Sequence, residues 1–460
     1  MHKRAAVTGM GIISSNGTNV SEFWSNCLDG QSVIAPIPKQ WLQYSNYNSK
    51  LWSPLPEIDF SRFGFGSVEQ NKLDKISLLA MDAAFQALEN AGLSWRLVDE
   101  KRNTYSIPNI NPDRIGVFIG TGAGGINATF NAHAYQMLAR SGNELKQQIA
   151  ELGAKYQIAP DDLAALHQVS AKMMIPRRFN PFTVSMLMPN APAANIGIKF
   201  NISGPNNALC AACASGTAAI GHAFRAVQNE AVDMAIAGGA EYLYDDYGSI
   251  FQGFDILKTL VAGEADPFKA NRPFDRRRSG FLFSQGGAGI LIIEELERAK
   301  RRRARILAEI VSFAETSDGY NIMMPDETGR SIKLMFHQVL AQAALQPDGI
   351  DYINAHGTGT LANDLVEANI LAEIFGKKPL INTTKSLIGH PIGASGAIEA
   401  IVAVLTLMNQ TTHVCKNLDD PVRDLNFVRE VKYHHIATAL TQSFAFGGHN
   451  ASLIFKKWQD

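Results

Sequence analysis

The sequence is short of cysteine, of net charge and of anything that reads as a targeting segment. Its four cysteines in 460 residues (Cys27, Cys210, Cys213 and Cys415) are too few for a disulfide framework in a chain this long. Cys210 and Cys213 make a C-x-x-C pair, but neither Cys27 nor Cys415 supplies the second pair that a zinc site needs. A redox pair stays open on spacing alone. Charged residues are 18% of the chain and the net charge is −1, so no whole-molecule field gathers nucleic acid or an anionic membrane. The segment MHKRAAVTGMGIISS has no long apolar region or cleavage signal, and no apolar run approaches a membrane span, which predicts a soluble cytoplasmic protein.

What is present is a large apolar fraction, 46%, enough to bury the core of an α/β protein built as two packed halves. Continuous β-branched runs at Ala5–Val7, Ile115–Ile119, Met234–Ala237, Gly289–Ile293, Ile306–Val311, Tyr352–Ala355 and Leu453–Phe455 predict buried strands. Helical patterns at Lys75–Ala91, Gly216–Asn229, Gly329–Ala344 and Gly393–Asn409 alternate with them. "IGTG" at Ile119–Gly122 is echoed by "HGTG" at His356–Gly359, and "CASG" at Cys213–Gly216 by "GASG" at Gly393–Gly396, in the same order. That order predicts one α/β unit used twice, with halves at 1–303 and 304–460 meeting at the basic run Lys300–Arg305. The first half would carry two insertions, a polar loop at Asp99–Pro112 and a helical hairpin over 138–175 interrupted at Ala159-Pro160.

Cys213 lies among small residues just before a helix expected from about Ser215, where free N–H groups and the helix dipole favour a thiolate and lower its pKa. A lone cysteine is more often a small buried hydrophobe. Two histidines shift that balance. His356, in "NAHGTGTLAND", ends a buried strand, where open α/β sheets bind ligands, and His390 precedes the glycine-rich start of the second helix. In "TQSFAFGGHN" the glycines let backbone approach a ligand, while Phe444 and Phe446 can wall an apolar channel. Gly120, Gly122 and Gly125 fit G-x-G-x-x-G, but no placed acidic residue completes a dinucleotide fold and neither glycine run ends as a P-loop does. The basic runs Arg276–Arg278 and Lys300–Arg305 lack the interleaved aromatics of a nucleic-acid site and read as solvated faces or a dock for an acidic partner.

Taken together, "VTGMGIISSNG", "GPNNALCAACASGTAAIG", "RPFDRRRSGF", "NAHGTGTLAND", "KSLIGHPIGASGAIEA" and "SFAFGGHN" resemble the β-ketoacyl-acyl carrier protein synthases and the related ketosynthases of type II polyketide assembly. The resemblance runs over nearly the whole chain. It implies a five-layered αβαβα thiolase fold of two duplicated halves, and an acyltransferase that condenses a cysteine-bound acyl chain with malonyl-acyl carrier protein in fatty-acid, polyketide or polyene elongation. It also implies Cys213 as nucleophile with His356 and His390 as partners, Lys385 and Glu399 as a supporting pair, and the N–H groups of Cys213 and Phe446 as the oxyanion hole. Phe444, Phe446 and His449 would line the gate. No metal or bound cofactor is implied, because the carrier protein brings the phosphopantetheine arm. The implied partners are that carrier protein and a second subunit, either the same chain or one like a chain-length factor, with neither nucleic acid nor membrane.

Cysteine with two histidines differs from the Cys-His-Asn set of starter-unit synthases, and the retained Cys213 differs from chain-length factors. The sequence departs from the usual family pattern at Ser279 for aspartate, Gln285 for glutamate, Asn321 for histidine, Ala445 for glycine and His449 for threonine. Three other readings compete. A thiolase acting on coenzyme A thioesters would want a second cysteine near the C-terminus, a nicotinamide oxidoreductase rests only on the glycine patterns, and a non-catalytic scaffold would not need the full cysteine–histidine set.

Overall fold

The structure is a computed structural model and describes residues 2–174 and 179–459. Ten strands make the main sheet. In the first half they are β1 (Ala5–Ile13), β2 (Ile115–Gly120), β3 (Asn206–Leu209), β4 (Met234–Tyr242) and β5 (Gly286–Glu295). In the second they are β6 (Ala308–Ser317), β7 (Tyr352–Asn354), β8 (Leu380–Asn382), β9 (Thr438–Ala445) and β10 (His449–Lys457). The order across the sheet is β8-β7-β9-β10-β6-β1-β5-β4-β2-β3.

Each half therefore repeats one topology. In the first, β1 pairs antiparallel with β5, β5 antiparallel with β4, and β4, β2 and β3 run parallel. In the second, β6, β10, β9, β7 and β8 do the same in the same order. The halves join where Ala5–Val7 of β1 pairs antiparallel with Ala308–Ile310 of β6. The echoed motifs are thus equivalent positions in a duplicated fold.

Eight helices matter here: α1 (Lys75–Asn90), α2 (Ile126–Lys155), α3 (Pro160–Met174), α4 (Ala191–Lys199), α5 (Ser215–Gln228), α6 (Arg330–Gln342), α7 (Leu361–Phe375) and α8 (Ser395–Asn409). α5 and α8 form a central layer that touches strands of both halves, while α1 with α4 covers one outer face and α6 with α7 the other. The result is the five-layered α/β arrangement. α8 is buried all round and mostly apolar, as a helix enclosed by protein must be, with Ser395, Glu399 and Thr406 as its buried polar residues. Ile398, Ile401, Val402, Val404, Leu405 and Leu407 are all buried. At roughly 1.5–3 kcal/mol per buried side chain, they outweigh the helix propensity lost to four β-branched residues, about 0.5 kcal/mol each. The span Ile392–Asn409 has a mean hydropathy of 1.6 over 18 residues and is by length and composition apolar enough to cross a membrane. That corrects the expectation that no run approaches such a length; 89% of the span is buried as core helix.

Other expectations shift. The hairpin begins at Ile126 rather than 138, and α2 runs unbroken through Gly142, which is buried and whose carbonyl accepts from the Ser170 hydroxyl of α3 at 3.1 Å. Residue 175 lies outside the described residues. The polar loop 99–112 contains part of a β-hairpin, Arg96–Asp99 with Thr104–Ser106, turned at Asn103 with φ +51°. β3, β8 and β9 escaped the sequence reading because β3 is polar and partly exposed, β8 has three residues and β9 mixes Thr, Gln and Ser with apolar positions.

α5 and α8 approach through glycines. A Cβ on Gly216 would lie 2.7 Å from the Ala397 nitrogen, and one on Gly396 would lie 2.0 Å from Thr217 Oγ1 and 2.8 Å from its nitrogen. Gly396→Val is therefore expected to cost about 3 kcal/mol by overpacking, read as a lowered urea midpoint; an unchanged midpoint would show that the central helices can separate.

Candidate active site

The carboxyl ends of the parallel strands converge on one cavity of about 260 Å³ whose lining includes Cys213, His356, His390, Ile392, Phe444 and Phe446. Cys213 sits in the turn Ala212–Ala214 between β3 and α5. The residue before it, Ala212, has φ +44°, and its counterpart in the other half, Ile392, has φ +41°. A left-handed non-glycine residue stores about 1–3 kcal/mol that surrounding packing must offset. Both turns lie where the two halves press their central helices together.

His390 closes on the cysteine from the second half. Its Nε2 lies 3.1 Å from Cys213 Sγ, its Nδ1 lies 2.9 Å from Ser395 Oγ, and its backbone N–H donates to the Leu282 carbonyl at 2.8 Å. Phe281 meets the imidazole edge-on, with ring centres 5.3 Å apart. His356 follows β7; its ring lies 5.5 Å from that of His390 and 5.7 Å from that of Phe444. The His356 and Gly357 N–H groups donate to Glu367 at 2.7 and 2.8 Å.

Lys385 stands behind His356. Its ammonium donates to the His356 carbonyl at 2.8 Å, lies 3.3 Å from His356 Nδ1 and pairs with Glu399. An ammonium only donates, so Nδ1 accepts and the His356 proton sits on Nε2. Lys385 and Glu399 are each 1% exposed. Burial pushes the Glu399 carboxyl up to about 7, against the pull of Lys385.

Burial, then the Lys385 charge, pushes both His356 and His390 well below the usual imidazole range, which leaves both neutral at pH 7. Burial pushes the Cys213 thiol up to about 12, with Lys385 opposing. This corrects the expectation of a lowered thiol pKa: loss of hydration outweighs the helix start.

The structure separates His449 from the rest. It is exposed at the head of β10 and lines a different cavity, with Ala211, Ala214 and Glu315, beyond the turn at Gly447 and Gly448. Of the other departures from the family pattern, Ser279 lines the main cavity and accepts the Ala262 N–H at 3.1 Å, while Gln285 accepts the Leu55 N–H at 2.9 Å. Asn321 caps the backbone of Met323 and Met324, both of which line the cavity.

Two buried carboxylates went unnoticed in the sequence. Glu367 holds the His356 turn, as above. Glu241, at the end of β4, accepts the N–H of Gly122 at 2.6 Å and of Gly393 at 3.0 Å, tying one loop from each half together. An acid closing the apolar run "MAIAGGAEY" was the available signal.

Family models for the β-ketoacyl synthase N-terminal and C-terminal domains match residues 2–299 and 307–419. The chain belongs to the β-ketoacyl synthase family. It is 33% identical, over 99% of both chains, to the 3-oxoacyl-[acyl-carrier-protein] synthase 2 of Synechocystis. A β-ketoacyl synthase crystal structure from Burkholderia phymatum superposes with a TM-score of 0.80 at 26% identity, covering 99% of this chain and 100% of that one. A type II polyketide ketosynthase solved with its acyl carrier protein gives 0.75 at 25%, covering 100% of both. Like its family, this chain is a condensing acyltransferase.

Lys385→Ala leaves a buried carboxylate without its cation and is expected to cost about 3–5 kcal/mol, measured by denaturant unfolding. A Lys385→Met/Glu399→Leu double variant should recover most of that loss; equal destabilisation by both would argue against a paired charge. Because the Cys213 thiol lies near 12, its thiolate fraction rises about tenfold per pH unit below that value. Alkylation of Cys213 by iodoacetamide should therefore keep accelerating from pH 7 to 10, and a plateau near neutrality would contradict the raised thiol.

Proposed function

We propose that this β-ketoacyl synthase elongates carrier-bound acyl chains, with Cys213 as nucleophile and His356 and His390 as the hydrogen-bond donors of the condensation. The observation that carries this reading is the 3.1 Å approach of Cys213 Sγ to His390 Nε2 beside a second neutral imidazole. Cys213 attacks the carbonyl of an acyl thioester, the N–H groups of Cys213 and Phe446 hold the oxyanion, and the phosphopantetheine thiol leaves with the proton. Malonyl thioester then enters through the same cavity. Its carboxylate departs as carbon dioxide, and the bond electrons move into an enolate whose oxygen accepts from the two imidazoles. The enolate carbon attacks the acyl-Cys213 carbonyl and expels the thiolate, giving a β-ketoacyl product two carbons longer. A neutral imidazole suits this step, since it offers a hydrogen bond without surrendering a full charge to a dry site.

The carrier protein supplies the phosphopantetheine arm, as the acyl carrier protein of the polyketide neighbour serves its ketosynthase. The arm has an entrance: exposed Leu257, Met324 and Leu361 line the cavity that ends at Cys213. A thiolase acting on coenzyme A thioesters is disfavoured because Cys27, Cys210 and Cys415 do not line this cavity. The free edge of β3, with Ile198 65% exposed on neighbouring α4, suits a second subunit of the same fold, either this chain again or a partner like a chain-length factor.

Incubation with a panel of acyl-carrier-protein thioesters, followed by intact-mass analysis and peptide mapping, should place the acyl group on Cys213. Cys213→Ala should lose both adduct and product, and product surviving that change would remove Cys213 from the role. His390→Ala should slow malonyl decarboxylation by about 10²–10³, the usual cost of one oxyanion donor, and acyl loading much less. Equal losses in both steps would count against the assignment.

A further inference from the structure

Two serines occupy equivalent places at the starts of the central helices, and they bond differently. Ser215, after Cys213, bonds only backbone: its hydroxyl lies 2.7 Å from the Ala212 carbonyl of its own turn and 3.1 Å from that of Thr121 after β2, and it accepts the Ala211 N–H at 2.8 Å. Ser395, opening α8, is fully buried, and its one side-chain hydrogen bond among the described residues is to His390 Nδ1 at 2.9 Å.

We propose that Ser395 is a positioning residue that fixes the proton of His390 on Nε2. A buried hydroxyl whose hydrogen has no acceptor is costly, and Nδ1 is the acceptor in reach. With Ser395 donating, Nδ1 is a lone pair and the imidazole proton stands on Nε2, the nitrogen facing Cys213 Sγ. His356 reaches the same tautomer through the Lys385 ammonium. The two imidazoles are thus aligned as paired N–H donors by different means, one by a cation and one by a neutral hydroxyl. The difference has a chemical consequence. An ammonium cannot accept a hydrogen bond, so protonation of His356 on Nδ1 is opposed, whereas the Ser395 hydroxyl can rotate and accept if His390 becomes imidazolium.

The inference uses the reading of His390 as an enolate donor only for its effect on rate; the tautomer is measured independently. In protein carrying ¹⁵N-histidine, with the His390 signals assigned by their loss in His390→Gln, Nδ1 should be pyridine-like and Nε2 pyrrole-like. Ser395→Ala should mix the two forms and slow malonyl decarboxylation by about tenfold or more, with Cys213 acylation changed by less than twofold. Ser395→Thr, which keeps the hydroxyl, should hold the wild-type nitrogen pattern and recover decarboxylation, and it serves as the informative variant if Ser395→Ala does not fold. A wild-type Nδ1–H form, or a Ser395→Ala protein with unchanged nitrogen shifts and decarboxylation, overturns the proposal. The expected shifts in a protein that never acylates Cys213 would instead sink the functional reading and leave the role of Ser395 standing.

Discussion

The backbone-to-backbone contact between α5 and α8 is the constraint on which the rest depends. Each helix starts in one half of a duplicated fold, and each start carries an Ala-Ser-Gly run that leaves no room for a larger side chain. Because the helices meet at their first turns, Cys213 and His390, 177 residues apart in the chain, come within a hydrogen bond. The left-handed Ala212 and Ile392 mark the two turns bent to allow it. Glu241 secures the junction from below by accepting an N–H from each half. Duplication supplied two equivalent helix starts. One carries Cys213; in the other, Gly393 occupies the corresponding place and His390, just upstream, faces the thiol.

Burial sets the electrostatics of the junction. The ammonium nearest the imidazoles, Lys385, is buried behind His356, and its charge is answered by Glu399. Deep in the protein the imidazoles lose their charged forms first, and the nearby cation pushes in the same direction. Cys213 is held as a thiol by the same loss of hydration. The thiol and both imidazoles are thus a neutral set.

Much of this was legible in the order of residues. The seven strand runs, the four helical patterns and the paired echoes located the core and the duplication, since buried strands and helices must advertise their burial in apolar content. The motifs around Cys213, His356 and His390 stood out because close backbone approach demands small residues at fixed spacing. Less legible were the polar or short strands β3, β8 and β9, whose residues take strand geometry from their neighbours in the sheet rather than from their own propensity. His449 shows the opposite error: adjacency in "FGGHN" placed it at the gate, and two left-handed glycines turned it to another cavity.

By itself the sequence determined the fold class, the repeat and the chemical types at the site, because periodicity and side-chain chemistry are local properties. Tertiary structure alone decided the protonation and the partnerships. The ionisation of a thiol or imidazole depends on how much water and charge surround it, and that is settled by segments hundreds of residues away. So is the choice between Ser215 and Ser395: two serines in nearly the same local sequence, one bonded to backbone and the other to a histidine, because only the second has an imidazole folded back over it.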